Sequence, residues 1–199
     1  MNNIEAFFSN RRGRIMGNHE KSSVVIFLTN NKENPSIVFQ VRALSLKHQP
    51  GDISLPGGRI EKGESEREAA IREAIEELNI TKKDFQLIGE MDYLVTPYNR
   101  VIYPFVAIIN EIDIYPNEDE VDHIFMVPLK YFMENEPEAY RIKMLPQFPE
   151  DFPYHLISNG KNYKFSSSSI EQYFYQFNGY VIWGITAQII KTFVDLIRE

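Results

Sequence analysis

The sequence predicts a single α/β sandwich with a mixed sheet, spanning residues 1–199, and three observations predict it. Short β-rich runs recur between residues 23 and 127, one strong amphipathic helix interrupts them, and an apolar-striped helix closes the chain. No internal repeat or evident linker divides the 199 residues, a length that suits one domain with a real core.

Residues 1–22 read as a leading helix and extension, a short helix followed by a basic, polar connection. Residues 23–28 and 37–42 are β-rich, and the turn residues of NNKENP between them predict a hairpin. Residues 43–58 form a loop ending in Leu55-Pro56-Gly57-Gly58. A helix over 65–78 follows, then strands over 85–95, 101–109 and 123–127. The acidic loop NEIDIYPNEDE lies before the last of these, and 128–134 reads as a short helix. Residues 135–178 are rich in proline, aromatics and serine, with Asn159-Gly160 expected to turn a hairpin inside YHLISNGKNYKF. The closing helix is expected over 180–198, where Val181, Ile185, Ile189 and Phe193 form an apolar stripe. Trp183 is assigned to packing there and not to chemistry.

Composition excludes several function classes. A net charge of −7 argues against nucleic acid as the main partner, since phosphate-backbone binding needs a basic footprint. It permits a small phosphorylated ligand where metal ions and local Arg or Lys reverse the charge. The absence of cysteine excludes a disulfide scaffold, thiolate-bound zinc and a cysteine nucleophile. No apolar run is long enough to span a bilayer, so no membrane partner is expected. MNNIEAFFSNRRGRIMG lacks the apolar core of a signal peptide, and DLIRE is not a peroxisomal address of the Ser-Lys-Leu type. A cytoplasmic monomer or homodimer is the expectation.

The informative segment is GRIEKGESEREAAIREAIEELNI, residues 58–80. Ser65 with Glu68 reads as a capping box. Ile71, Ile75 and Leu78 at i, i+4, i+7 are expected to face the core. Glu73, Glu76 and Glu77 share another face, opposite them at roughly 100° per residue. A solvated acidic face is the ordinary reading of such a pattern. Yet Glu73 and Glu77 repel as a like-charge i, i+4 pair, and a divalent cation with oxygen ligands is the natural counter-ion. Arg72 can pair with Glu68 or Glu76 and hold the cluster.

This segment resembles the Nudix box, a glycine, a glutamate, then Arg-Glu and Glu-Glu at fixed spacing. Those positions read here Gly58, Glu64, Arg72-Glu73 and Glu76-Glu77, followed by Leu78, Asn79 and Ile80. Asn79 stands where the family has glycine, and Asn is the next residue suited to a left-handed cap. The resemblance implies a Nudix-type α/β/α sandwich and Mg²⁺ or Mn²⁺ held by Glu73, Glu76, Glu77 and the Gly57 carbonyl. It also implies Glu64 at the loop–helix junction. The chemistry implied is metal-dependent hydrolysis of a diphosphate, in which the cations neutralise phosphate oxygens and align water for in-line attack. Gly57 and Gly58 let the backbone turn beside the metals, and Pro56 stiffens the entry.

Upstream, Arg42, Ala43, Lys47, Gly51 and Leu55-Pro56-Gly57-Gly58 keep the spacing of the signature found in the coenzyme A pyrophosphatase branch, with Ala43, Lys47 and Leu55 as departures. NEDEVDHIFMVPL and NGYVIWGITAQII resemble that branch too. The resemblance implies hydrolysis of coenzyme A or its thioesters to adenosine 3′,5′-bisphosphate and 4′-phosphopantetheine or its acyl derivative. Arg42 and Lys47 become candidate phosphate contacts, with His48 a further one, and Glu120, near Glu118 in the acidic loop, a candidate base. Alternatives are another nucleoside diphosphate derivative such as ADP-ribose, or a non-catalytic nucleotide sensor. The complete set of box carboxylates and the lack of a basic helix-turn-helix disfavour the sensor.

Overall fold

The computed structural model describes residues 2–110 and 113–198. A short helix α1 (Asn2–Ser9) leads to β1 (Glu20–Thr29), so the strand begins inside the stretch expected to be extension. β1 turns back through the expected hairpin into β2 (Ser36–Arg42), pairing Phe27 with Val38. Beyond that closed end the two strands splay. Two short strands fill the gap inside the expected loop: β3 (Ile53–Ser54) pairs with β2, and β4 (Gly57–Arg59) pairs with β1.

The helix α2 (Glu66–Leu78) has both halves of the capping box at Ser65 and Glu68, and it ends at Asn79 in the left-handed conformation (φ 54°, ψ 42°). The expected strand 85–95 divides into β5 (Phe85–Glu90) and β6 (Leu94–Val95), both against β7 (Arg100–Ile109). β7 runs parallel to β1 along its whole length, which makes the sheet mixed. β8 (Val121–Pro128) adds to the far side of β2. Residues 111 and 112 of the acidic loop lie outside the described residues.

After the short helix α3 (Leu129–Glu134), β9 (Glu138–Met144), β10 (Ser168–Phe177) and β11 (Tyr180–Trp183) form a separate three-stranded sheet. Two sequence expectations fail here. Asn159-Gly160 turns between two 3₁₀ segments (Tyr154–Leu156 and Gly160–Asn162), not between strands; its left-handed φ values serve that turn equally well. The closing helix α4 (Gly184–Arg198) starts at Gly184, because residues 180–183 pair with β10 instead. Val181 therefore leaves the expected stripe, while Ile189 and Phe193 remain buried in it.

Two cores flank the large sheet. Ile26, Ile37, Phe39 and Val127 on one face meet Tyr175, Ile182, Ile190 and Phe193 of the small sheet and α4. Val25, Phe27, Phe105 and Ala107 on the other face meet α2. This is the α/β/α sandwich. The residues of α2 that press on the sheet are Ala69, Ala70, Ala74 and Leu78. Ile71 and Ile75, expected with Leu78 to face the core, are half-buried: they pack against it and also line an open groove of about 580 Å³ with Glu64, Arg72 and Glu76.

Alanine on the contact face lets a helix approach a sheet more closely than isoleucine would, because protein interiors are close-packed. Ala74→Ile is expected to cost about 1–3 kcal/mol by overpacking and to lower catalytic rate with it. Urea denaturation and initial rates on the same preparation check this; an unchanged midpoint would show that the contact is not tight.

Candidate active site

The close approach of α2 brings two carboxylates against a glycine turn. Gly57 has φ 152°, and a side chain there would collide with the Ser23 carbonyl oxygen and the Val24 Cα of β1. Only glycine fits. A Cβ on Gly58 would collide with the Glu73 carboxylate, so that side chain lies directly on the Gly58 backbone. One turn on, the Gly57 N–H donates to Glu77 Oε2 at 2.7 Å. Gln40 of β2 comes close enough to the Glu77 side chain to favour its charged form. Glu77 thus bridges the splayed strands, touching β4 on one side and β2 on the other.

Arg72 organises the outer part. Its Nε and Nη2 donate to the two oxygens of Glu64 at 2.9 and 3.0 Å, and Nη2 also donates to the Arg59 carbonyl at 3.0 Å. Nη1 donates to Glu73 at 2.9 Å and Glu76 at 3.1 Å. All five guanidinium N–H directions are used, which lysine cannot reproduce. Glu68, the other partner expected for Arg72, instead caps the helix with Ser65. Glu64 also accepts the Glu61 N–H at 3.0 Å and clamps the loop to the helix, the place expected for it.

The three box glutamates do not share one exposed face. Glu76 is exposed, Glu73 is half-buried, and Glu77 is 3% exposed. Burial pushes Glu77 up to about 7, against the downward pull of the Gly57 N–H and Gln40, with the Glu73 and Glu120 charges adding to the rise. Burial raises Glu73 as well, opposed by Arg72 and reinforced by Glu76 and Glu120. Glu120 is therefore close enough to act electrostatically on both. Its loop is held in place, since Asn117 N–H donates to the Glu77 carbonyl at 2.9 Å and Ala43 N–H to the Glu120 carbonyl at 2.9 Å. Glu118 is exposed.

Arg42 lies two residues beyond Gln40 on β2 and so on the same face. Its Nη2 donates to the His48 carbonyl at 3.3 Å, while its buried Nε has no partner. Lys47 and His48 are exposed on the adjoining loop, and no bond brings either side chain to the carboxylates. Gln40, Ser23 and Ser54 form no part of the box pattern, yet each carries a buried polar atom without a partner on this side of the sheet. The available signal was Gln40 itself, a polar residue inside the apolar run IVFQV.

Among the described residues, no group of three or more His, Asp or Glu side chains is arranged to hold a metal ion. Arg72 instead draws Glu73 and Glu76 together. The donor set nonetheless fits a hard divalent cation. It is wholly oxygen, it carries excess negative charge, and Gly58 leaves the space into which Glu73 settles.

A family model described as the NUDIX domain matches residues 19–148. The chain belongs to the Nudix family. This Nudix protein is 28% identical over 181 residues to the peroxisomal coenzyme A diphosphatase NUDT7 of Mus musculus, covering 90% of this chain and 71% of that one. It is 28% identical over 123 residues to the peroxisomal coenzyme A diphosphatase ndx-8 of Caenorhabditis elegans, covering 60% and 53%. It is 27% identical over 187 residues to the uncharacterized Nudix hydrolase NudL of Photorhabdus laumondii, covering 93% and 89%. The crystal structure of a MutT/nudix family protein from Enterococcus faecalis matches with a TM-score of 0.51 at 14% identity, covering all of this chain and 70% of that one, a likeness of fold. The protein is a Nudix diphosphatase, a hydrolase of a family that acts on small nucleotide substrates and generally uses divalent metal ions. No helix of the described residues is long and apolar enough to cross a membrane.

Glu77 sets a pH signature. Its folded pKa stands above the ordinary 4.5, so its stabilising contribution is complete below about 4.5 and is lost as pH rises through about 7. Metal-free protein is expected to lose about 2–3 kcal/mol from this group between pH 5 and pH 8. Glu77→Gln should flatten that slope in chelator-treated denaturation curves. Equal slopes in both proteins would mean that Glu77 is not the titrating group.

Proposed function

We propose that this hydrolase cleaves the diphosphate of coenzyme A or its thioesters, releasing adenosine 3′,5′-bisphosphate and 4′-phosphopantetheine or its acyl derivative. The observation that carries this reading is Arg42, a cation with a buried, partnerless Nε on the same sheet face as the carboxylate seat. The two relatives named as coenzyme A diphosphatases support it.

Glu73, Glu76, Glu77 and the Gly57 carbonyl would hold Mg²⁺ or Mn²⁺, which, when bound, neutralises diphosphate oxygens and activates water. The remaining work falls to the protein. Gly57 and Gly58 keep side chains out of the approach to the carboxylates and support substrate from below. Arg42 and Lys47 bind the phosphates of the nucleotide half, and Arg42 is pre-aimed because its backbone closes the 43–52 loop through Asp52 and Gly51. Glu120 accepts the proton of the attacking water, its backbone being tied to the same loop. Arg72 keeps Glu73 and Glu76 at one place on the helix and releases them to a stronger counter-ion. The catalytic unit is a single domain over residues 1–199, acting in the cytoplasm as a monomer or homodimer.

Two predictions test the assignment. Glu73→Gln is expected to lower kcat by orders of magnitude at saturating Mg²⁺ with the fold retained, and Glu120→Gln to lower kcat as well. Wild-type rates in either variant would remove that residue from the chemistry. The second concerns the 3′-phosphate, which coenzyme A carries and ADP-ribose lacks. Coenzyme A should be preferred over its 3′-dephospho form by roughly ten- to a hundredfold in kcat/KM, the equivalent of one charge-assisted contact of about 1.5–3 kcal/mol. Arg42→Ala or Lys47→Ala should erase much of the preference and barely change the rate on the dephospho compound. Equal rates on both substrates would refute 3′-phosphate recognition, and an outright preference for ADP-ribose would refute the coenzyme A reading.

A further inference from the structure

β2 reads Ile37-Val38-Phe39-Gln40-Val41, and all five residues are buried. Gln40 is 1% exposed in the middle of this apolar run. It lies on the α2 side of the sheet, in phase with Val38, which packs in the core beneath that helix. A leucine or methionine would fill the space without burying an amide. The amide is also incompletely satisfied. It lies beside Glu77, whose charged form it favours, yet its Oε1 has no partner. Directly across the β2–β3 ladder stands Ser54, whose buried Oγ has no partner either. Cross-strand side chains on one face begin about 5 Å apart, so the two unpartnered groups are neighbours. Packing alone gives no reason for two unpaired buried polar groups beside an inward-facing carboxylate, since each carries a desolvation cost.

We propose that Gln40 is a positioning residue for the hydrolase: its side-chain amide fixes the Glu77 carboxylate in the orientation that receives the divalent cation. The geometry explains why two contacts are needed. Gly57 N–H engages one oxygen of Glu77 from the β4 side. A single bond leaves the carboxylate free to rotate about its long side chain, and a second from β2 removes that freedom. Gln40 thereby trades stability of the empty fold for order at the site. A residue serving only the core would show the opposite sign, because its loss would lower stability first.

The inference rests on Glu77 being a metal ligand, as read above, and the experiment separates the two claims. Mn²⁺ alone is titrated into chelator-treated wild type, Glu77→Gln, Gln40→Met and Gln40→Asn, with free Mn²⁺ followed by electron paramagnetic resonance. The melting temperature of each metal-free protein is measured alongside. Gln40→Met is expected to weaken Mn²⁺ binding by about tenfold, the equivalent of one lost hydrogen bond to a charged group. Its metal-free melting temperature should equal or exceed that of wild type. Gln40→Asn keeps the amide but withdraws it by one methylene, and it should weaken binding similarly.

If wild type and Glu77→Gln bind Mn²⁺ equally, Glu77 is not a ligand, and both the metal reading and this inference fall. If Glu77→Gln loses Mn²⁺ while folded Gln40→Met and Gln40→Asn retain wild-type affinity, the inference alone is overturned. A Gln40→Met that melts lower in step with its weaker binding also overturns it, because that is the behaviour of a core residue. Should Gln40→Met not fold, Gln40→Asn decides: wild-type affinity overturns the role and a weakened one supports it.

Discussion

The acidic site depends on how closely one helix approaches one glycine turn. The contact face of α2 is three alanines and Leu78, and the turn beneath it is Gly57-Gly58. A larger residue on either side would keep the Glu73 carboxylate off the Gly58 backbone or break the bond from Gly57 N–H to Glu77. The splay of β1 from β2 creates the opening that the turn occupies, and Glu77 spans it by reaching Gly57 on one side and Gln40 on the other. Helix, turn and splay are one construction, and the acidic site is its consequence.

That construction stores an electrostatic problem. Glu73, Glu76, Glu77 and Glu120 bring negative charge together where burial already disfavours it, and the raised pKa values of Glu73 and Glu77 register the conflict. Arg72 offsets part of it from the outer side. It cannot serve Glu77, whose partners are a backbone amide and a neutral side chain, so the innermost carboxylate keeps the largest unmet demand for positive charge. A divalent cation with oxygen ligands meets that demand, and binding there must expel whatever proton Glu77 holds.

Much of this was legible in the sequence, for identifiable reasons. The capping box at Ser65 and Glu68 and the left-handed Asn79 are local signals, and each has the form expected. The mixed sheet and its layers were legible from the alternation of element types. Other features depend on contacts distant in sequence. The stripe of Ile71, Ile75 and Leu78 on α2 does pack against the core, yet only Leu78 of the three is fully buried, and the sheet buries Ala69, Ala70 and Ala74 beside it. Residues 180–183 look like the first turn of a helix and become a strand because β10 offers them a ladder. Gln40 looked like an interruption of an apolar strand. Its meaning emerges only when Glu77, far along the chain, is seen to arrive beside it.

On the proposed reading, the buried Glu77 carboxylate beside Gly57 and Gln40 is where the divalent cation binds. Isothermal titration calorimetry with Mg²⁺ in paired buffers of different ionisation enthalpy reads the protons released on binding. With Glu77 at about 7, release should be close to one proton at pH 6 and should fall towards none by pH 9. Binding that releases no proton at pH 6, with heats independent of the buffer, would contradict the account.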